Sequence, residues 1–144
     1  MKRIASFLLV LSGAQLGYSE PIWVRVIKNE FESIYYDQTT VELYGPLVIV
    51  DEVRNRHNPS AAFPTVSFIA KTEYDCLMGD IEILRIISTS EHFGKGTVLR
   101  DSADNSRWRG LTSSSDRLTS TEVSSMEVIC KQSKYFKEGI YHGN

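Results

Sequence analysis

Cysteine and histidine are scarce in this chain of 144 residues, which contains two cysteines and three histidines. Cys76 and Cys130 lie far apart, so no C-x-x-C pair with the spacing of a zinc or redox site is present. His57, His92 and His142 also have no second histidine at the helical spacing that binds metals. The sequence therefore predicts no metal site and no cofactor.

Clustered positive charge is missing as well. The chain has 16 basic and 18 acidic residues, a formal net charge of −2, and no block of lysines or arginines. A nucleic-acid partner usually requires a basic face, and binding to an anionic membrane surface requires a basic cluster. We therefore expect neither of these partners.

The common catalytic motifs are absent too. There is no G-x-S-x-G elbow, and Gly94 and Gly96 form a lone G-x-G without the third glycine of a phosphate loop. Asp75, Asp80 and Glu82 crowd the end of a predicted hairpin, where charged turn residues are commoner than a catalytic acid pair. The prediction is a protein without enzymatic activity. A small hydrolase is the remote alternative, and it would need a pocket that joins a histidine to a nucleophile.

Long apolar runs are restricted to the N-terminus. A short positive start precedes "IASFLLVLSGA", and small residues follow, which is the three-part order of an export signal. The run is shorter than the roughly 20 residues that a membrane-spanning helix needs. Cleavage is expected after Ser19, or alternatively after Ala14. Residues 1–19 are thus predicted to be a signal peptide, and 20–144 a single domain without a transmembrane segment.

Export has consequences for charge and for the cysteines. Removing the signal takes away Lys2 and Arg3 and no acidic residue, so the net charge falls by two from −2 to −4. No cysteine stands at either cleavage site for lipid attachment, so we expect a periplasmic or secreted protein without a lipid anchor. Two cysteines in an oxidising compartment tend to pair. A Cys76–Cys130 disulfide is expected, worth about 4 kcal/mol at most by the chain-entropy argument.

β-forming residues dominate the first two thirds of the mature chain. A central hairpin turns at Met78-Gly79, and its return arm places Ile81, Ile83, Arg85 and Ile87 on the face opposite Glu82, Leu84, Ile86 and Ser88. Both faces of this arm carry apolar residues, which is typical of a central strand. The strands are expected at residues 22–29, 31–37, 39–45, 47–56, 65–76, 80–91 and 97–102.

One helix is predicted near the C-terminus, from Ser113 to about Lys131. Two capping boxes compete for its start, Ser113 with Asp116 and Thr119 with Glu122. Its apolar stripe includes Cys130, so a disulfide to Cys76 would clamp the helix to the sheet. The expected fold is α+β: a single antiparallel meander of about six strands, with one C-terminal helix packed on it and disulfide-linked to it.

Aromatic side chains are the candidate binding groups. Tyr35 and Tyr36 are neighbours in a strand and point to opposite faces, so one of them is expected to be exposed. Exposed aromatic rings suit protein or glycan contact. The alternative, that most of these rings are core or edge residues, stays open at this point. The candidate binding aromatics are Trp23, Tyr35, Tyr36, Tyr44 and Trp108.

Several short motifs occur in a distinctive order. They are "WVRV", "IYYDQTTVELYGPLVIV", "EYDC" with "LRII" on the return strand, "FGKGTV", Trp108, and a closing helix that ends in Cys130. This order, over about residues 22–131, resembles the bacterial surface-adhesin protein E-like family. The resemblance implies a sheet of about six strands tied to a C-terminal helix by a disulfide, export to the cell envelope and, for the namesake, adhesion to host matrix and serum proteins.

Two functional hypotheses follow. The first is an exported adhesin-like module that binds host matrix, serum or envelope proteins, and that could form a homodimer through a sheet edge, where backbone groups lack partners. The second is a structural or accessory periplasmic protein of an envelope complex. Retention in the periplasm would favour the second hypothesis over the first.

Overall fold

The computed structural model describes residues 19–102, 111–113 and 119–134. The predicted signal peptide, Trp108, His142 and the C-terminal residues 135–144 lie outside the described residues, apart from Ser19. The described chain forms eight strands, two 3₁₀ turns and one helix. These are β1 (Trp23–Lys28), β2 (Glu32–Asp37), a turn (Gln38–Thr40), β3 (Glu42–Tyr44), β4 (Leu47–Arg56), β5 (Ser67–Asp75), β6 (Asp80–Thr89), a turn (His92–Gly94), β7 (Val98–Asp101), β8 (Leu111–Ser113) and α1 (Ser120–Cys130).

The strands form one antiparallel sheet in the order β1-β2-β4-β5-β6-β7. β3 pairs with β4 beyond the end of β2, and β8 pairs with β6 beyond the end of β7. The sheet is therefore six strands wide. One position in it is shared by β2 and β3, and another by β7 and β8. The prediction of one antiparallel sheet with a single C-terminal helix is confirmed.

Pairing between the long central strands determines which side chains share a face. β4 and β5 pair without interruption from Leu47 opposite Asp75 to Asn55 opposite Ser67. Side chains alternate along each strand, so the even-numbered residues of both strands point to one side. α1 packs on that side, which we call the helix face. The opposite side is the far face.

A bulge in β6 changes the predicted alternation. Thr72 pairs with Ile83 but Lys71 pairs with Arg85, which leaves Leu84 as an extra, exposed residue. After the bulge Ile86, and not Arg85, joins Ile83 on the helix face. The single unbroken alternation expected for residues 81–88 is therefore wrong beyond Ile83, because one inserted residue reverses the parity of all later ones.

The hydrophobic core lies between α1 and one end of the helix face. Burial of these apolar side chains is the main favourable contribution to the folding free energy. Helix residues Met126 and Ile129 are fully buried against the sheet. The other buried members of this core are Tyr36, Val48, Val50, Tyr74, Cys76, Ile81 and Cys130.

A disulfide joins α1 to the end of β5. Cys76 and Cys130 are 54 residues apart in sequence, their Cα atoms are 5.5 Å apart, and both side chains are fully buried. The Cys76 amide also donates to the Pro46 carbonyl, which fixes the residue beside β4. The predicted clamp between helix and sheet is confirmed.

The helix begins later than its earliest predicted start. Thr119 is the N-cap: its side chain accepts from the Glu122 amide at 3.2 Å, and the Glu122 carboxylate accepts from the Thr119 amide at 2.7 Å. The alternative start at Ser113 is wrong, because Leu111–Ser113 forms β8 against Ile81–Ile83. Pairing there satisfies backbone groups of β6 that would otherwise form an open edge.

Candidate binding face

Three of the five candidate aromatics lie on the far face. Trp23 on β1 pairs with Asp37 on β2, and Tyr35 lies two residues before Asp37 on β2, so the two rings are on the same side of the sheet. Tyr44 on β3 pairs with Leu47 on β4. Tyr35 itself pairs with Val53, which has the same parity as Leu47. The sheet therefore brings together, on the side opposite α1, three rings that are far apart in sequence.

A fourth ring, Phe93, completes this face. Residues 90–97 fold back over the sheet and place the Phe93 ring 6.0 Å from Trp23 and 5.1 Å from Tyr35, both tilted. All three side chains are half-buried. Tilted ring pairs at this separation stabilise each other beyond their buried area. We call Trp23, Tyr35 and Phe93 the aromatic cluster.

The Phe93 backbone is held in an unusual conformation. Its φ of 56° is the only positive value among the non-glycine residues that the structure describes. The left-handed region costs a residue with a Cβ about 1 kcal/mol or more. Two buried side chains compensate: the Phe93 amide donates to Asn55 Oδ1 at 2.8 Å, and the Gly94 amide donates to Ser67 Oγ at 2.9 Å. The loop is thus anchored to the sheet by its own backbone.

Charged side chains surround the aromatic rings on the far face. Lys71 Nζ lies 3.4 Å from Glu42 Oε1, and Arg85 donates twice to Asp101, at 3.1 Å and 2.5 Å. Asp51 lies between them, and burial raises the pKa of its carboxyl. A polar groove of about 230 Å³ runs here, lined by Asp51, Ile69, Lys71, Arg85 and Ile87.

Tyr44 is the most accessible of the four far-face rings, with 57% of its surface exposed. Its hydroxyl donates to Glu42 Oε2 at 2.6 Å. This hydrogen bond lowers the pKa of Glu42, helped by the nearby Lys71, and raises the pKa of Tyr44. Tyr44 therefore presents a ring whose hydroxyl is oriented by a charged neighbour.

Two expectations about the aromatics need correction. Tyr36 is 7% exposed and packs in the core under α1, so it is not a surface binding residue. Its neighbour Tyr35 points to the opposite face as expected, but it is half-buried against Phe93. Neither tyrosine is therefore fully exposed. Trp108 lies outside the described residues.

The histidines that the structure describes make short contacts of their own. His57 Nε2 lies 2.7 Å from Ser33 Oγ, and His57 Nδ1 lies 3.3 Å from the Glu30 carbonyl oxygen. This is a serine–histidine contact, but Ser33 is only 4% exposed, which leaves its hydroxyl little access to a substrate. His92 Nε2 lies 3.3 Å from the Arg56 carbonyl oxygen. Over residues 19–102, 111–113 and 119–134, no three His, Cys, Asp or Glu side chains are grouped to hold a metal ion.

The helix face also contains a buried polar pair that was not predicted from the sequence. Glu52 is 1% exposed, and the Tyr74 hydroxyl donates to its Oε1 at 2.7 Å. Burial raises the pKa of Glu52, although Arg54 and the hydrogen bond from Tyr74 lower it in part. Burial beside the same carboxyl also raises the pKa of Tyr74 well above its usual range. The signal was present in the sequence, because Glu52 continues the alternation of Val48 and Val50.

The part of the chain that the structure describes is thus a disulfide-clamped α+β protein with a helix-free sheet face that carries fixed aromatic rings and charged pairs. None of the helices in that part is long and apolar enough to cross a membrane. Aromatic rings and arginine, side-chain types that are enriched at protein interfaces, both occur on this face.

Comparison with known proteins places this fold in a family. The model of the family described as surface-adhesin protein E matches residues 23–131, and the chain belongs to that family. The crystal structure of protein E from non-typeable Haemophilus influenzae is similar, with a TM-score of 0.52 and 18% sequence identity, over 76% of this chain and 75% of that chain. At this identity the likeness concerns the fold. Comparison with curated protein sequences found no match.

Proposed function

We propose that this protein is an exported, adhesin-like protein-binding module without catalytic activity, and that the far face is its contact surface. The observation that carries the proposal is the aromatic cluster, in which Phe93 is held against Trp23 and Tyr35 on the side of the sheet that α1 leaves uncovered. Membership of the surface-adhesin protein E family supports an exported protein that acts by adhesion.

The composition of the far face also supports protein contact. Binding energy at protein interfaces is concentrated in a few rigid aromatic and arginine side chains, surrounded by residues that exclude water. Trp23, Tyr44 and Arg85 are side chains of these types, and the exposed Lys71–Glu42 pair lies between the rings and the polar groove. The loop that holds Phe93 is ordered in advance by its hydrogen bonds, which lowers the entropy lost on binding.

The proposal is tested by surface plasmon resonance of the mature protein over panels of purified extracellular-matrix, serum and envelope proteins. Trp23→Ala and Tyr44→Ala should each weaken any saturable binding by tenfold or more. Phe63→Ala is the matched control, because this exposed ring lies outside the far face and lines a groove with Phe68 and Ile86. Equal losses from all three substitutions, or no saturable binding in any panel, would refute the proposal.

The location that we propose is the periplasm or the exterior, after removal of residues 1–19 as a signal peptide and without a lipid anchor. Residues 20–144 then form the single mature domain. Cell fractionation with mass spectrometry of the N-terminus tests this: the mature chain should begin at Glu20, or at Gln15 if cleavage follows Ala14. A protein that keeps Met1 would contradict it.

The alternative role is that of an accessory protein of a periplasmic envelope complex. Such a protein would have the same fold and would also be exported. It is distinguished by fractionation of whole cells. An adhesin has to reach the outer surface or the medium, whereas an accessory protein would be found only in the periplasm and would co-purify with envelope proteins.

We also propose that two copies can associate through a sheet edge. β7 (Val98–Asp101) is short, ends the strand order, and exposes Val98 and Leu99. An edge of this kind can pair with another strand. Light scattering after size exclusion should show a dimer whose population rises with concentration and falls on Val98→Lys. A monomer at every concentration would refute this part of the proposal.

A further inference from the structure

The helix face contains a groove beside α1 that the proposed contact surface does not use. Its volume is about 420 Å³, within the range of small-molecule sites. The floor is apolar, and its rim side chains Glu32, Arg54 and Glu122 are half-buried. We call it the acidic groove, and its lining residues are Glu32, Glu52, Arg54, Phe68, Ala70, Thr72, Tyr74, Ile81, Ile83, Ile86 and Glu122.

Polar groups are concentrated at one part of this groove. Glu52 is buried at its base with one carboxylate oxygen held by the Tyr74 hydroxyl. Thr72 is buried beside it, and its hydroxyl lies close enough to Glu52 to lower the pKa of that carboxyl, but its Oγ1 makes no well-formed hydrogen bond to any of the described residues. A buried hydroxyl without a partner is costly, so a ligand that supplies one would gain free energy.

The charge of the groove selects the sign of the ligand. Three carboxyl groups, those of Glu32, Glu52 and Glu122, face one guanidinium, that of Arg54. The rim carboxylates of Glu32 and Glu122 would repel an anionic head, whereas an ammonium group could donate to both Glu52 and Thr72 and would favour the ionised form of the buried Glu52 carboxyl. Hydrogen bonds between a charged donor and a carboxylate are about twice as strong as neutral ones.

The apolar part of the groove selects the body of the ligand. Phe68 and Ile86 line the acidic groove and also a smaller groove of about 200 Å³, so the two adjoin at these side chains. An alkyl or aryl chain that enters from the Glu52 end would extend over Ile83 and Ile86 towards Phe63. Removing such a chain from water is favourable, and the gain grows with each buried CH₂ group.

We infer that the acidic groove is a binding site for small amphipathic amines, molecules with one ammonium head and an apolar body. The head pairs with Glu52 and satisfies Thr72, and the body covers the isoleucines of β6. This site is independent of the far face, because the two lie on opposite sides of the sheet.

The test uses three probes with the same chain: octylammonium, octanol and octanoate, titrated calorimetrically into the mature protein at neutral pH. Octylammonium should bind at least tenfold more tightly than octanol, and octanoate more weakly than either. Amide NMR shifts on adding octylammonium should be largest at Thr72, Tyr74 and Ile83. No preference for octylammonium over octanol, or shifts centred on Trp23 and Tyr35, would overturn the inference.

Substitutions identify the group that selects the ammonium. Glu52→Gln should weaken octylammonium at least tenfold and leave octanol within about twofold, whereas Glu73→Gln, on the far face of β5, should change neither. If Glu52→Gln does not fold, Ile86→Trp provides the second test, since the larger ring at this half-buried position should narrow the groove and weaken octylammonium and octanol together. Unchanged octylammonium affinity in a folded Glu52→Gln or Ile86→Trp protein would refute the site.

Discussion

Gly94 shows how closely the loop that carries Phe93 approaches the sheet. A Cβ at this position would lie 2.0 Å from Ile69 Cδ1 and 2.6 Å from Ile69 Cγ1, and the residue has a φ of +68°. Gly45 has a similar φ of +61° but no atom within 4 Å of its hypothetical Cβ. The two glycines therefore separate the cost of a left-handed backbone from the cost of a steric clash.

Gly94→Ala should destabilise the protein by at least about 1 kcal/mol more than Gly45→Ala, because overpacking adds to the cost of the positive φ that both share. Urea unfolding of the two variants and the parent measures the difference. Equal losses would mean that Ile69 moves away freely, and that the loop does not rest tightly on the sheet.

The protonation of Glu52 should affect stability, because this carboxyl is buried. Burial raises the pKa of its carboxyl above the ordinary 4.5. From about pH 4.5 upwards the unfolded chain therefore releases a proton that the folded chain retains, so this group lowers stability as pH rises towards its folded pKa. Below that window both states are protonated and the effect vanishes.

Glu52→Gln removes this titration and keeps an oxygen that can accept from Tyr74. The free energy of unfolding of the variant, relative to that of the parent, should therefore increase as the pH rises from about 4 to about 7, because only the parent loses stability through this titration. Urea unfolding at both pH values measures this, with Glu73→Gln on the far face as the matched carboxyl-to-amide control. A stability difference between the Glu52 variant and the parent that is the same at both pH values would contradict the expected titration.

At the scale of elements, α1 is defined by its cap. Its residues include many serines and β-branched side chains, which have modest helix propensity, so the helix depends on packing and on its ends. Thr119 and Glu122 satisfy each other's backbone amides. The element begins where these amides find partners, six residues later than the alternative start at Ser113.

Thr119→Ala should therefore cost about 1 kcal/mol, the usual value of an N-cap hydroxyl. Ser120→Ala is the matched control, since it removes the next hydroxyl along the chain without touching the cap and should be neutral or slightly stabilising. Thermal unfolding compares the two. A similar loss in both variants would show that the capping box contributes little to α1.

The strands show why some elements were predictable and others were not. The alternation of side chains with a period of two, together with the turn at Gly79, was sufficient to predict the main strands and the central hairpin. The bulge at Leu84 was not, because it depends on how β6 pairs with its neighbour and leaves no local signal. β8 was missed for a similar reason: three residues have little strand preference until β6 presents an edge to them.

At the scale of the whole molecule, the disulfide joins the C-terminal helix to the centre of the sheet across 54 residues. The double substitution Cys76→Ser with Cys130→Ser should lower the free energy of unfolding by roughly 2–4 kcal/mol, mainly by releasing the unfolded chain. Calorimetric or urea unfolding measures it. The helix content of the folded state should persist, and a loss below about 1 kcal/mol would mean that packing alone holds α1.

The far face and the acidic groove are also properties of the whole molecule. Their residues come from separate strands, and the sheet gives each side one character: rings and ion pairs on the far face, and an apolar floor with a buried carboxyl beside the helix. This difference between the two sides explains why Tyr35 and Tyr36 have different surroundings although they are adjacent in sequence. Tyr35 lies on the far face, and Tyr36 is buried under α1.

The amino-acid sequence by itself determined the class of fold, the partnership of Cys76 with Cys130 and the parity of side chains along the strands that contain no bulge. The fold class and the parity depend on short-range periodicity, and two cysteines allow only one intramolecular pairing. Only the tertiary structure decided which parity lies under α1 and where Phe93 inserts. Such features result from long-range packing, in which the position of one element determines the surroundings of another and local residue patterns carry no record of it.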